Sequence, residues 1–276
     1  MSAKFYQRTI NSSKISALGS RSFKSKFFIA SPSDFTIDAT KRKTATTWGN
    51  VYGTNASFFM PQADNNAYMT ALHIVGNKSI GAATNNPEYV LGGDRNTQQI
   101  NDNSTAMDFI YYTGSKVGIK KAASWSTSNN QGISTIKWAV GGFNLLLDSY
   151  TISKKTFNEN LEDHYPNISS SSMKRDIETS RTLIGYRKNS DEIVLAVIMN
   201  NGSGKYYNDG PTMHECHLIM KYLGCTIALC LDGSNATQIR YKDSNGKNWA
   251  VDDGRCPWSR IRLTDSAAEK CNWTLT

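Results

Sequence analysis

The sequence predicts an α+β fold, a single strand-rich domain with mixed sheets and few helices. Three observations carry this expectation. Short β-prone runs recur between turns rich in Gly, Asn and Ser. Only one segment, near residues 212–223, has a full helical signature. No internal repeat and no shift in composition divides the body of the 276-residue chain, a length that fits one large domain or two small ones.

Residues 1–43 read as a basic lead-in, partly extended. They hold nine Lys and Arg residues against Asp34 and Asp38, a net +7 of the chain's +8. The body from residue 44 to residue 276 is therefore near neutral. Such a segment would steer an anionic substrate or partner, and its plainer reading is a solvated arm. Within it, Lys26–Ala30 and Phe35–Ala39 read as short strands around Ser31-Pro32-Ser33, whereas residues 1–25 show little periodicity. Trp48–Met60 is β-prone but broken by Gly49 and Gly53. Met69–Val75 reads as a strand, residues 81–107 as a long surface excursion, and Met107–Tyr112 and Thr135–Leu147 as further strands. The last contains Gly141-Gly142, the mark of a bulge or a close backbone approach.

Residues 153–180 are polar and Ser-rich and read as a loop. Thr182–Tyr186 and Glu192–Met199 then form a hairpin. The predicted helix follows. Thr212 and Glu215 are spaced as a capping box, and Met213, Cys216, Ile219, Met220 and Leu223 share one apolar face. Gly224 ends the helix in a left-handed conformation. Cys225–Leu231 is a continuous apolar strand of the kind buried on both faces. Asp232-Gly233 turns it, and Gln238–Tyr241 returns.

Several function classes drop out. No apolar run approaches the roughly 20 residues of a membrane span, so no membrane partner is expected. Phe27-Phe28-Ile29-Ala30 is too short for the h-region of a secretory signal, so the expected location is cytoplasmic, with a virion component as one special case. The five cysteines are odd in number, with no C-x-x-C pair, and read as reduced thiols. No P-loop, G-x-S-x-G or dinucleotide fingerprint is present, and no cofactor is expected. His214 and His217 flank Glu215 as H-E-C-H, which is not the zinc-protease spacing, so no metal is expected either.

Asp232 is the first candidate for chemistry. It directly follows a buried apolar run and precedes a Gly, a placement that desolvates a carboxylate at a sheet mouth. Its plainer reading is an Asp that starts a turn. Glu215 is the second, as acid, base or nucleophile on a first helical turn, or simply as the capping residue. Arg181, at a strand start, offers a planar fork suited to phosphate oxygens. Asn55 precedes Ala56-Ser57-Phe58-Phe59, where it would bond a sugar hydroxyl or a phosphate, or serve a turn.

Taken in order, these segments are specific. The chain reads Asn55-Ala56-Ser57-Phe58-Phe59, then Ala139-Val140-Gly141-Gly142, then Arg181-Thr182-Leu183-Ile184-Gly185-Tyr186, then Gly210-Pro211-Thr212-Met213-His214-Glu215, then Leu223-Gly224-Cys225, then Ala228-Leu229-Cys230-Leu231-Asp232-Gly233. This series resembles the phosphodiester glycosidase family, whose pattern runs N-x-x-F-F, R-T-x-x-G, G-x-T-x-x-E and L-D-G-G-x-S. The resemblance covers roughly residues 50–265, tightest from Arg181 to Thr237, and the polar composition suits a bacterial or phage member.

The resemblance implies hydrolysis of a sugar 1-phosphodiester, with a sugar-phosphate or nucleotide-like anion as substrate. It implies catalytic roles for Glu215, Asp232 and Arg181: Arg181 on phosphate and the two carboxylates as acid/base or nucleophile. It places Asn55, Thr182, Gly142, His214, Gly233 and Ser234 around the ligand. One departure stands out: Ala236 occupies the place of the family's Ser. This motivates the alternative of a non-catalytic protein that binds a phosphorylated sugar or nucleotide-like ligand. Nucleic acid is not expected as a partner.

Overall fold

The computed structural model describes residues 2–40, 43–56, 59–61, 67–69, 73–75, 78–79, 107–121, 136–147, 152–166, 168, 170–201, 208–252, 257 and 259–275. The chain opens with β1 (Lys4–Asn11), β2 (Ser22–Ala30), β3 (Phe35–Ala39) and β4 (Gly53–Asn55). Four short strands follow: β5 (Phe59–Pro61), β6 (Ala67–Met69), β7 (His73–Val75) and β8 (Lys78–Ser79). Then come β9 (Asp108–Tyr112), β10 (Val117–Lys121), β11 (Trp138–Asn144), and helices α1 (Lys154–His164) and α2 (Ser170–Met173). The hairpin β12 (Arg181–Arg187) and β13 (Glu192–Asn200) leads to α3 (Met213–Tyr222) and β14 (Ile227–Cys230). The chain closes with β15 (Ile239–Lys242), β16 (Asn248–Val251), β17 (Ser259–Leu263), α4 (Asp265–Glu269) and β18 (Asn272–Leu275).

The larger sheet runs β10-β9-β11-β14-β12-β13-β2-β1-β18, with β7 also against β11 and β8 against β7. The smaller runs β16-β15-β4-β17-β3. β1 and β18 pair in parallel and the other ladders are antiparallel, so the larger sheet is mixed. One apolar core lies between the sheets, with Phe5, Leu195, Val197, Leu231, Tyr241 and Ile261. The other lies under the helices, with Phe27, Leu183, Ala196, Met213, Ile219 and Cys230. β13 supplies both cores with alternate residues, which is why it reads as a continuous apolar run. The architecture is the expected strand-rich α+β fold.

The expected lead-in at residues 1–43 is instead built into both sheets. β2 pairs with β13 from Ile193↔Ala30 to Asn200↔Phe23, and β3 pairs with β17. The physical reason lies in the alternation. Phe5, Ile10, Phe23 and Phe27 point inward, while Arg8 and Lys24 take exposed positions between them. The loop expected over residues 153–180 also contains helices. Ser153 caps α1 by accepting from Thr156 N–H, and Phe157 and Leu161, one turn apart, bury its inner face. The excursion expected at residues 81–107 lies outside the described residues except for Met107.

The predicted helix has its capping box. Thr212 Oγ1 accepts from Glu215 N–H, and the Glu215 carboxylate accepts from Thr212 N–H. Gly224 follows at φ +81°, the left-handed region open to glycine. Cys216, Cys225, Cys230 and Cys271 are buried free thiols, and Cys256 lies outside the described residues. Burial pushes the Cys225 and Cys271 thiols up to about 12, so neither is a ready nucleophile.

Candidate active site

The site grows from a parting of strands. β9 occupies one side of β11, leaving the other side to β7 at Trp138–Val140 and to β14 at Phe143 and Asn144. These two neighbours separate at Gly141-Gly142. A Cβ on Gly142 would lie 2.5 Å from Cys230 O, so the close backbone approach expected there is what the strand pairing requires. Past Cys230 the chain leaves the sheet. Leu231 N–H donates to Thr182 O (2.8 Å) and Asp232 N–H to Ala56 O (3.3 Å), which sets the Asp232 side chain at the mouth of this parting.

Asn55 fixes that mouth from the smaller sheet. Its Nδ2 donates to Asp232 O (2.8 Å), and its Oδ1 accepts from Thr182 Oγ1 (2.7 Å) and Gln238 N–H (2.8 Å). Asn55 and Thr182 are both buried. They join β4, β12 and the Asp232 turn into one network, in which every bond braces another segment of the chain. Asn55 and Thr182, expected to face the ligand, brace the Asp232 turn in this structure. A buried amide must be satisfied, and here the protein itself satisfies it.

The turn after Asp232 is laced to Ser180. Asp232 Oδ1 accepts from Gly233 N–H (2.9 Å). A Cβ on Gly233 would meet Ser180 O at 2.8 Å and Arg181 Cδ at 3.6 Å. Ser234 N–H donates to Ser180 O (2.8 Å), and Ser180 Oγ donates to Ser234 O (2.9 Å). Ser234 itself sits at φ +60°, a left-handed conformation that disfavours any residue with a Cβ. This is the position at which the family pattern has its second Gly.

Arg181 lies beneath this turn and is only 3% exposed. Its Nε donates to Pro211 O (3.1 Å), and its Nη2 donates to Lys174 O (2.6 Å) and Ile177 O (2.8 Å). The fork expected to grip phosphate therefore closes on main-chain carbonyls. A guanidinium this deep cannot be left without acceptors, and the turn after α2 and the approach to α3 supply them. Among the described residues no carboxylate pairs with Arg181, and besides these carbonyls it hydrogen-bonds the Cys230 thiol.

Glu215 is buried and has both oxygens engaged. Oε2 accepts from Thr212 N–H (2.7 Å) and Thr212 Oγ1 (3.0 Å). Oε1 lies 2.7 Å from Arg21 Nε, an ion pair without the alignment of a hydrogen bond. Arg21 also contacts Glu178 Oε1 (2.5 Å) and donates from Nη2 to Gly210 O (2.7 Å). Arg21 carries no local signal, because its partners lie more than 150 residues away in sequence. His214 points elsewhere. Its ring sits against Phe157 of α1, with Nε2 2.9 Å from Ile152 O, because successive helical residues are about 100° apart.

The structure thus gathers Asn55, Gly142, Arg181, Thr182, Asp232, Gly233 and Ser234 at one mouth. Glu215 is linked to it through Pro211, and His214 is left out. A second polar cluster lies across β11, where Asp108 faces Gly142. The Asp108 carboxylate receives Asn144 Nδ2 (2.7 Å) and lies 3.0 Å from His164 Nε2. Burial and the Asp108 charge push the neighbouring Tyr165 hydroxyl well above its ordinary range. Among the described residues no group of three or more His, Cys, Asp or Glu side chains is gathered as a metal site would need.

The sequence profile of the phosphodiester glycosidase family matches residues 49–260. The chain belongs to this family. The match spans each of the gathered site residues and Glu215. No curated protein matches the chain in sequence. Among solved structures, the zebrafish N-acetylglucosamine-1-phosphodiester α-N-acetylglucosaminidase catalytic domain, auto-inhibited by its pro-peptide, is similar at a TM-score of 0.55 and 11% identity. That similarity covers 95% of this chain and 82% of the zebrafish chain. A hypothetical protein from Synechocystis is similar at a TM-score of 0.50 and 13% identity, over 94% of this chain and 61% of the other. At such identities the likeness is one of fold. Coverage of 95% leaves too few residues aside to omit both β1 and β2, so this likeness of fold extends beyond the residues that the sequence profile matches.

Proposed function

We propose that this phosphodiester glycosidase hydrolyses a sugar 1-phosphodiester bond and that Asp232 is the reacting carboxylate. One observation carries the choice. Of the two motif carboxylates, Glu215 is buried within its cap and ion pair, whereas Asp232 is half-buried, past the end of β14 where β7 and β14 part. A reacting group must reach substrate, and only the second position allows that.

The chemistry follows from the leaving group. The departing phosphomonoester is a weak base and needs little protonation, so the protein has to stabilise charge rather than deliver a proton. The buried Arg181 charge beneath the Gly233 turn supports this role without direct contact, as a fixed positive field. Asp232 takes a proton from water as the water oxygen bonds to the anomeric carbon. The bond from that carbon to the phosphate oxygen breaks, and its electron pair leaves with the phosphate. With Asp232 acting as base on water the displacement is direct, and a direct displacement inverts the anomeric centre.

The test is hydrolysis of a nucleotide sugar followed by NMR. Release of the inverted sugar by the native chain, and its loss in Asp232→Asn, is the expected result. Retained configuration, or full turnover by Asp232→Asn, would overturn the assignment. A second reading is supported by Ala236, which is fully buried where the family pattern has Ser. On that reading the protein binds a phosphorylated sugar without cleaving it. Calorimetric binding with no product by mass spectrometry would favour it.

A further inference from the structure

Arg21 stands immediately before β2, and the family profile begins only at residue 49. Its backbone N–H donates to Leu18 O (3.1 Å), and its guanidinium lies over the ring of the buried Phe23 at 5.2 Å. From this support the side chain reaches two segments that come much later in the sequence. It contacts Glu178 Oε1 (2.5 Å) on the approach to β12. It also meets Gly210 O (2.7 Å) and Glu215 Oε1 (2.7 Å) at the start of α3.

Three successive residues before α3 are each held by an ion. Gly210 O accepts from Arg21 Nη2, Pro211 O accepts from Arg181 Nε, and Thr212 N–H donates to Glu215 Oε2. The contact between Arg21 and Glu215 closes the group. The segment so held presses on the approach to β12. A Cβ on Gly210 would lie 2.3 Å from Thr179 C and O and 2.6 Å from Ser180 N. Ser180 in turn carries the Asp232 turn, since it accepts from Ser234 N–H and donates to Ser234 O, with Gly233 against its carbonyl. Contacts therefore run without a gap from Arg21 through Gly210 and Ser180 to Gly233, the neighbour of Asp232. Backbone packed this closely passes a displacement on rather than absorbing it.

We propose that Arg21 is a positioning residue for the reaction: it fixes Gly210–Thr212, and through them both the Arg181 guanidinium and the turn that holds Asp232. The inference rests on the assignment of Asp232 as the reacting carboxylate. An ion pair kept for stability alone would need neither the arm on Gly210 O nor a carboxylate from each of two segments. Arg21 is half-buried and Glu178 is exposed, and ion pairs in such places add little to stability. A planar fork with three engaged nitrogens instead sets the spacing between the two segments, which the single ammonium of Lys cannot do.

The experiment compares the native chain with Arg21→Ala and Arg21→Lys by amide hydrogen exchange, read by NMR, and by steady-state hydrolysis of a nucleotide sugar. The reporter is Ser234 N–H, whose partner is Ser180 O, and the control is β17, held between β4 and β3. In Arg21→Ala we expect Ser234 N–H to exchange about tenfold faster while the β17 amides keep their native rates. Turnover per folded molecule should fall about tenfold with KM nearly unchanged, because the reacting group is displaced and the other substrate contacts remain. Arg21→Lys keeps the charge but not the fork, so it should restore neither Ser234 protection nor kcat, and it decides the matter should Arg21→Ala fail to fold. Native exchange at Ser234, an equal rise at Ser234 and β17, native kcat, or full rescue by Arg21→Lys would each overturn the proposal. If the native chain itself cleaves no nucleotide sugar, the hydrolase reading fails separately, and the exchange comparison still decides whether Arg21 holds the Asp232 turn.

Discussion

Glu215 and Asp232 carry the same functional group and belong to one series of motifs, yet they stand in opposite physical situations. Glu215 is enclosed by Thr212 and Arg21, and its neighbourhood has a partner for each of its oxygens. Asp232 lies two residues past the end of a buried strand and is half-buried where β7 and β14 part. The contrast teaches that two carboxylates of one motif series can differ fully in how their oxygens are engaged. A buried ion whose hydrogen bonds are filled by its own chain resists change, and an ion at a mouth can change partners.

The largest expected effect tests this contrast directly. Asp232→Asn lowers turnover of a nucleotide sugar by about a thousandfold while the melting temperature stays near that of the native chain. If Glu215→Gln lost turnover to the same degree with its stability intact, the two roles would have to be exchanged. Next comes Arg181→Ala. It strands the carbonyls of Lys174, Ile177 and Pro211 and opens a void, so urea denaturation should show a loss of about 3 kcal/mol.

Glu215→Ala is expected to lose about 2 kcal/mol, from the broken capping box and from an Arg21 left with Glu178 and Gly210 O. Glu215→Gln should recover part of this, since Gln also completes a capping box. The smallest effect has the opposite sign. Ser234→Gly relieves the left-handed backbone at φ +60° and should stabilise the chain by about 0.5–1 kcal/mol by calorimetry. A loss there would mean that the Ser234 side chain contributes more to the turn than its backbone strain removes.

The legible parts of this fold are those with short-range causes. The cap at Thr212, the apolar face of α3, Gly224 and the β12–β13 hairpin depend on neighbours in sequence, and they stand where the residues indicate. The gathering of Asn55, Arg181, Thr182 and Asp232 was legible only through the order of motifs, since no spacing joins β4 to β12. What stayed hidden had distant or sparse causes. α1 shows just two buried apolar residues, Phe157 and Leu161, among polar ones. β1 and the first half of β2 mix Lys, Ser and Arg with aromatics, and the partner that makes them strands is β13. Arg21 was invisible for the same reason, and so was the closing of the Arg181 fork on carbonyls of a turn that reads as a loop.

The pairing of β2 with β13 also sets a timetable. Translation completes Ala30 long before Glu192, and at 5–20 residues per second the interval is roughly 10–30 s. Throughout it the first hairpin has made its aromatic side chains but not the strand that covers them, nor β18, the neighbour of β1. The joining of β2 to the rest of the larger sheet therefore waits until β13 has been made, and contacts of such long sequence separation form slowly. A chain released early would keep this hairpin uncovered, so truncations from the C-terminus should be held by chaperones or aggregate. Removal of residues 1–43 should unfold the protein rather than trim it.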